Sequence, residues 1–217
     1  DDMHGRFLRD TLTAAGIDVT GLVLSPDVFT TLAFVALDDR GERHFSFARK
    51  PGADTCLRSD ELPAPLLSSA RVLHVGSLSL TDEPARSATF AAVEAAKRAG
   101  AVISYDPNYR ASLWADDAAA CDQIRSILPI VDIIKLSQEE MPFAAGIDDV
   151  DTAIKVLRKE GVALIVITNV RNPLVIVSLQ DLIIDNMVAC TKDKGRFDIH
   201  DRRCTNFSCA TEIKSTV

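Results

Sequence analysis

Residues 71–110 read RVLHVGSLSLTDEPARSATFAAVEAAKRAGAVISYDPNYR. A short apolar run, Val72-Leu73-His74-Val75, leads into a polar exit, Gly76-Ser77-Leu78-Ser79. An alanine-rich stretch over 85–99 has helical spacing and stops at Gly100. A second short run over 101–105 ends in Asp106-Pro107-Asn108-Tyr109-Arg110. Short apolar runs bounded by turn residues read as buried strands, and the longer segment between them as a helix. This is a strand–helix–strand unit, whose two strands lie parallel because the helix carries the chain back. His74, inside an apolar strand, reads as a core histidine.

The alternation continues downstream. The spacing predicts a helix over 117–128, a strand over 131–136, a helix over 150–160 with Gly161 just past it, and a strand over 162–168. The fold class is therefore α/β, a three-layer parallel sheet covered on both faces. Upstream, residues 3–15 carry Phe7, Leu8 and Leu12 at helical spacing, with Gly16 as a stop. Residues 28–36 are rich in Thr, Val and Phe, Asp38-Asp39-Arg40-Gly41 makes a turn, and His44 to Phe47 alternates. That is a hairpin, with Phe45 and Phe47 on one face and His44 and Ser46 on the other. It lies outside the strand–helix alternation and reads as a small β-sheet lid at about 24–54.

The character changes after Thr168. Alanine survives only as Ala189 and Ala210, residues 174–179 and 182–190 are strand-like, and 191–217 has neither period. Residues 1–168 read as the core and 169–217 as a divergent tail, non-native or disordered. Asp1-Asp2-Met3 read as the middle of a longer sequence, and no signal peptide is expected.

The 217 residues are 47% hydrophobic, enough for one sizeable core. A formal net charge of -7 gives no overall attraction to nucleic acid, and no apolar run is long enough for a membrane helix. Five cysteines (Cys56, Cys121, Cys190, Cys204, Cys209) form no regular framework, and the odd count suits a reducing, cytoplasmic setting. His200, Cys204 and Cys209 match no zinc spacing and read as scattered polar residues of the tail, so no direct metal ligand is assigned.

Ligands of a parallel α/β sheet collect beyond the carboxyl ends of its strands, and three strand ends carry polar clusters: Gly76 to Ser79, Asp106 to Arg110, and Lys135-Leu136-Ser137-Gln138-Glu139-Glu140. Asp106, Asn108 and Arg110 bring together an acceptor, an amide and a planar cation, which suits a polyhydroxyl compound or a phosphate. Asp-Pro-Asn is also turn chemistry, and spacing alone admits both readings. Ser137 with Glu140 forms a capping box, and a helix start is also an anion site. No phosphate-loop, dinucleotide-binding or nucleophile-elbow motif is present.

Asp106 to Trp114 resembles the D-P-N-x-R-x-x-L-W segment of bacterial and plant fructokinases. Gly5-Arg6-Phe7-Leu8 to Gly16-Ile17-Asp18, the hairpin residues 30–35 and 41–47, Lys50-Pro51-Gly52-Ala53-Asp54, Leu80-Thr81-Asp82-Glu83-Pro84 and residues 135–140 follow in the same order as in that group. The chain is identified, over about residues 1–168, as resembling the ribokinase-like sugar kinases, closest to fructokinases. The resemblance implies transfer of the γ-phosphoryl of ATP to a sugar hydroxyl, with magnesium, fructose as the foremost acceptor and a homodimer formed lid to lid. It makes Arg49, Asn108 and Arg110 contacts of the sugar or its phosphate, and sets Ser137, Glu140 and Thr168 on the nucleotide, phosphate and magnesium side. Three departures stand out. Ala48 replaces a common lid tyrosine, Asn169 to Pro173 lacks the glycines of the family's nucleotide turn, and no G-A-G-D occurs in the 217 residues. The last would supply the aspartate base and the anion hole, so no catalytic residue is assigned and the chain is expected to be incomplete and inactive. The alternatives are a non-catalytic sugar-binding or dimerising protein, and a kinase for an acidic sugar such as 2-keto-3-deoxygluconate, whose carboxylate Arg49 and Arg110 would meet.

Overall fold

The computed structural model describes residues 1–39, 41 and 43–168, and the backbone of 175–179, 183–184, 187–188 and 196–198. The strand–helix alternation forms β3 (Val72–Gly76), α3 (Ala85–Arg98), β4 (Val102–Asp106), α4 (Asp117–Ser126), β5 (Ile133–Ser137), α5 (Met141–Ala145), α6 (Val150–Lys159) and β6 (Leu164–Thr168). α3 buries Ala85, Ala88, Ala92, Val93 and Ala96, one stripe at three- and four-residue spacing. α4 and α6 begin on Asp116 and Asp149, whose carboxylates accept from the N–H groups of Ala119 (2.7 Å) and Thr152 (2.9 Å). The helix expected over 117–128 stops at Ser126, and Pro129 sits in a separate turn, Leu128–Ile130.

β3, β4, β5 and β6 are parallel neighbours in chain order. Right-handed crossovers between such neighbours put every connecting helix on the same face. Ile103 and Tyr105, Ile134 and Leu136, and Ile165 and Ile167 are buried in one core with Val93, Ala120, Ile124, Met141 and Leu157 from α3–α6. Their alternates Ser104, Ile133, Lys135, Leu164 and Val166 are half-buried or exposed, and α3–α6 leave that second face open. Burying the six strand side chains contributes roughly 1.5–3 kcal/mol each.

β7 (Val175–Leu179) extends the sheet antiparallel to β6, where residues 174–179 are strand-like in sequence. β8 (Ile183–Ile184) and β9 (Met187–Val188) pair within 182–190. β10 (Arg196–Asp198) pairs with β7 although residues 191–217 show no strand period. The rest of the tail, with Cys190, His200, Cys204 and Cys209, lies outside the described residues.

The hairpin forms a separate two-stranded sheet, β1 (Leu32–Leu37) and β2 (Arg43–Ala48). Phe45 and Phe47 stack on one face, with ring centroids 6.1 Å apart, as their alternation predicts. α1 (Met3–Ala14) is capped by Asp2, and Gly16 turns with φ 77°. Its apolar residues do not enter a core. Phe7 is 67% exposed, and Gly5 is the buried residue of the helix. A short α2 (Ala64–Ser69), which the sequence did not signal, packs against α3. No helix among the described residues is long and apolar enough to cross a membrane.

Candidate active site

Sheet register aligns Gly76 with Asp106 and Ser137 with Thr168, so the polar clusters at the ends of β3, β4, β5 and β6 come side by side. At the β4 exit, Asp106 Oδ1 accepts from the Asn108 N–H at 3.1 Å. This closes a turn in which Asn108 has φ 47°, a left-handed conformation that asparagine tolerates. The N–H and hydroxyl of buried Ser77 both donate to the Pro107 carbonyl, tying the β3 exit to the β4 exit. Asp106 Oδ2 pairs with Lys135 Nζ on β5 at 2.9 Å. The turn reading of Asp-Pro-Asn holds, and the turn sets Asp106 and Asn108 in the lining of a cavity.

Above this edge lies a cavity of about 330 Å³, lined by Asp54, His74, Gly76, Leu78, Ser79, Asp106 and Asn108. Its size sits at the lower end of the roughly 300–1,000 Å³ usual for small-molecule sites. Two carboxylates, an imidazole, an amide and a hydroxyl line it, with no lysine or arginine. His74 corrects the core reading. It lies on the face of the sheet away from α3–α6, exposed among the described residues, with Nδ1 3.0 Å from Ser104 Oγ. A signal was present, since Leu73 and Val75 alternate with His74.

The two arginines expected to reach the sugar are placed differently. Arg49 follows β2 and is buried. Its Nε donates to Asp54 Oδ2 (2.7 Å), one terminal nitrogen to Thr81 Oγ1 (2.8 Å) and the other to the Leu78 carbonyl (2.7 Å). Arg110 lies under the lid, its guanidinium carbon 5.2 Å from the centroid of the Phe45 ring and one nitrogen donating to the Tyr109 carbonyl at 2.8 Å. Asn108 alone of the three lines the cavity.

On the next strand end, Glu140 Oε2 accepts from the Ser137 N–H (2.7 Å) and Ser137 hydroxyl (2.9 Å), while Oε1 reaches across to the Tyr109 N–H (2.7 Å). The box is thus closed by the glutamate, which also braces the β4 exit. Thr168 ends β6 beside Ser137, with Oγ1 3.5 Å from the Leu136 carbonyl. Ser137, Glu140 and Thr168 are together, one strand further along the sheet from the cavity. Tyr109 stacks on Phe143 and donates to Asp117 Oδ1 at 2.6 Å. Burial, reinforced by that bond, pushes its phenol up to about 12. Burial also drives the Tyr105 phenol far above its usual range, helped by the charges of Glu140 and Asp106. Among the described residues no group of three or more His, Cys, Asp or Glu side chains is arranged to hold a metal ion.

Asp54 is the residue that sequence reasoning missed. Pro-Gly-Ala-Asp reads as a return from the lid, and nothing local says that its carboxylate turns to the β3 and β4 exits.

Comparison with known proteins agrees with this geometry. Residues 1–186 match the model of the pfkB family carbohydrate kinases. Fructokinase-1 of Zea mays is 47% identical over 151 residues, 70% of this chain and 47% of that protein. The chain therefore spans about half the length of the curated relatives it matches. A fructokinase from Xylella fastidiosa with bound ATP superposes with a TM-score of 0.74 at 33% identity, covering 84% of this chain and 58% of that one. A fructokinase from Vibrio cholerae O395 with fructose, ADP and calcium bound gives 0.74 at 30% identity, covering 88% and 61%. With the parallel sheet, the small antiparallel lid and the ordered polar strand ends all in place, the chain belongs to the pfkB family of carbohydrate kinases.

Proposed function

We propose that this chain serves in the ATP-dependent phosphorylation of a sugar hydroxyl, with fructose as the acceptor. The observation that carries the reading is the cavity at the β3 and β4 exits, whose lining from Asp54, His74, Asp106 and Asn108 supplies acceptors and donors without a fixed cation. That lining suits a neutral polyol and gives no counter-charge to a sugar acid. Fructose and ADP are bound in the Vibrio cholerae relative, and ATP in that from Xylella fastidiosa. Ser137 and Thr168 are the residues we assign to the nucleotide side. Both Glu140 oxygens are engaged by Tyr109 and Ser137, which fits a magnesium ion held through water and phosphate oxygens rather than by this carboxylate. Magnesium bound there would neutralise phosphate charge. The use of ATP goes with a cytoplasmic setting, and exposed Val35 and Leu37, alternate residues on one face of the lid, support a homodimer joined lid to lid.

No G-A-G-D stands in the 217 residues, so this chain by itself is expected to bind fructose without turning it over. Calorimetric titration with a sugar panel, followed by a coupled kinase assay with magnesium and ATP, tests both statements. Failure to bind any sugar overturns the functional reading. Turnover within about a hundredfold of an ordinary enzyme's roughly 10 per second overturns the inactivity.

A further inference from the structure

We propose that Asp54, rather than Arg49, is the lid-side residue that contacts the sugar, and that Arg49 is the positioning residue that aims it. The inference deepens the sugar-kinase reading above and rests on it.

Arg49 has little left to offer a ligand. Its side chain is 5% exposed, and all three of its nitrogens are engaged, by the Asp54 carboxylate, the Thr81 hydroxyl and the Leu78 carbonyl. A substrate oxygen would have to displace one of these partners and strand it. Asp54 is the reverse case. Its side chain is 45% exposed, and the residue lines the cavity together with Asp106 and Asn108. Arg49 holds Oδ2 at 2.7 Å and the Thr31 hydroxyl donates to Oδ1. An ionised carboxylate has about four acceptor positions, so some remain for sugar hydroxyls.

The support beneath Asp54 is stiff. It sits in a single turn, Ala53–Thr55, whose Ala53 N–H donates to the Phe29 carbonyl (2.9 Å), while the Thr55 N–H and hydroxyl donate to the Gly52 carbonyl (3.0 and 2.8 Å). Thr31, Asp54 and Arg49 close over Gly52 so tightly that a β-carbon there would overlap Thr31 Oγ1 and lie 2.9 Å from Arg49 Cγ. The carboxylate is therefore aimed before any ligand arrives, which lowers the ordering cost of binding. The same guanidinium also bonds the β3 exit at Leu78 and Thr81, so it ties Asp54 to the cavity floor. Asp54 and Asp106 are already paired with Arg49 and Lys135, so the lining offers acceptors for hydroxyls and no unpaired cation for a carboxylate, and the acceptor is a neutral sugar presenting vicinal hydroxyls.

The test is titration of the 217-residue chain and its variants with fructose and with gluconate, read by calorimetry, with thermal melts recorded alongside. Asp54→Asn, which keeps the shape and removes the charge, is expected to weaken fructose binding roughly 10- to 100-fold, the range for one charge-assisted hydrogen bond. The same variant is expected to leave gluconate binding unchanged or strengthen it. Arg49→Lys keeps the charge but loses the fork, so it should weaken fructose binding, and adding Asp54→Asn to it should cost less than the two effects combined. Should Asp54→Asn fail to fold, Thr31→Val releases Oδ1 alone and is expected to weaken fructose severalfold. Fructose affinity within twofold of the parent in Asp54→Asn, or in Thr31→Val where that variant stands in, overturns the assignment and leaves the sugar-kinase reading standing. Equal loss of both ligands assigns Asp54 a structural role and overturns it as well. Binding of neither sugar by the parent chain overturns the assignment together with the functional reading.

Discussion

Glu140→Gln separates a brace from a metal-side residue. The Glu140 side chain takes three hydrogen bonds, from the N–H groups of Tyr109 and Ser137 (2.7 Å each) and from the Ser137 hydroxyl (2.9 Å), and the residue is 8% exposed. Glutamine keeps the volume but has one acceptor oxygen where glutamate has two. If that oxygen faces Ser137, the Tyr109 N–H meets an NH₂ group, and if it turns the other way the Ser137 donors do. An unsatisfied buried donor costs about 1–3 kcal/mol, and the surviving bonds fall from charge-assisted to neutral, so the total loss is roughly 2–4 kcal/mol. For a chain of this length that lowers the melting temperature by about 5–15 °C. Trp114, the one tryptophan, lies eight residues past the end of β4 and packs against the core, so its fluorescence reports urea unfolding. The midpoint should fall with an unchanged slope, since the surface exposed on unfolding is the same. Ser137→Ala, which removes the hydroxyl bond alone, should cost about 0.5–1.5 kcal/mol. A Glu140→Gln loss below about 0.5 kcal/mol, within the scatter of unremarkable surface changes, would refute the brace. So would a loss seen only with magnesium and nucleotide present.

The two phenols give a spectroscopic prediction. Tyr105 and Tyr109 are the only tyrosines, and burial raises both, so the native chain should show no tyrosinate near pH 10, where a free phenol is half ionised. Because the neutral phenol is favoured on folding, Tyr109 adds stability below about pH 10 that disappears as pH rises through its value of about 12; a native phenol titrating near 10 would contradict this. Asp2 is held well below the carboxylate range, first by the Thr30 N–H and then by the Gly5 N–H. Its contribution is complete above the unfolded value of about 4 and is lost as pH falls below it. Asp2→Asn, which still caps α1, should therefore flatten the acid limb of a melting-temperature profile, and equal slopes would count against it. Gly52→Ala should cost about 1–3 kcal/mol in urea unfolding by forcing Thr31 and Arg49 apart; a neutral result would show that the lid base yields freely.

Where physical reasons are local, the sequence spoke clearly. β-branched runs separated by alanine-rich stretches admit few structures other than parallel strands and crossover helices, and the strands β3 to β6 lie within a few residues of where that pattern sets them, although that pattern did not foresee α5. Strict alternation in His44 to Phe47 likewise sorted the faces of the lid. The site was legible only as clusters at strand ends. Which side chains turn into the cavity depends on partners far along the chain. Arg49 is committed by Leu78 and Thr81, about thirty residues downstream, and in turn holds Asp54 where it lines the cavity. His74 was misread because its environment depends on which face the helices occupy. That follows from strand order, which the sequence does not state.

Strand order also bears on how the chain is made. β3, β4, β5 and β6 begin at Val72, Val102, Ile133 and Leu164, one new strand about every thirty residues. β4, β5 and β6 each pair with the strand synthesised just before them, and β7 and then β10 join at the same advancing edge, so no finished pair has to part for a latecomer. At about 5–20 residues per second a ribosome delivers each unit in roughly 2–6 seconds, far longer than the microseconds in which a short helix forms. Among the described strands the sheet can thus assemble vectorially, β3 remaining the fixed margin while each emerging helix docks on the strands already laid down.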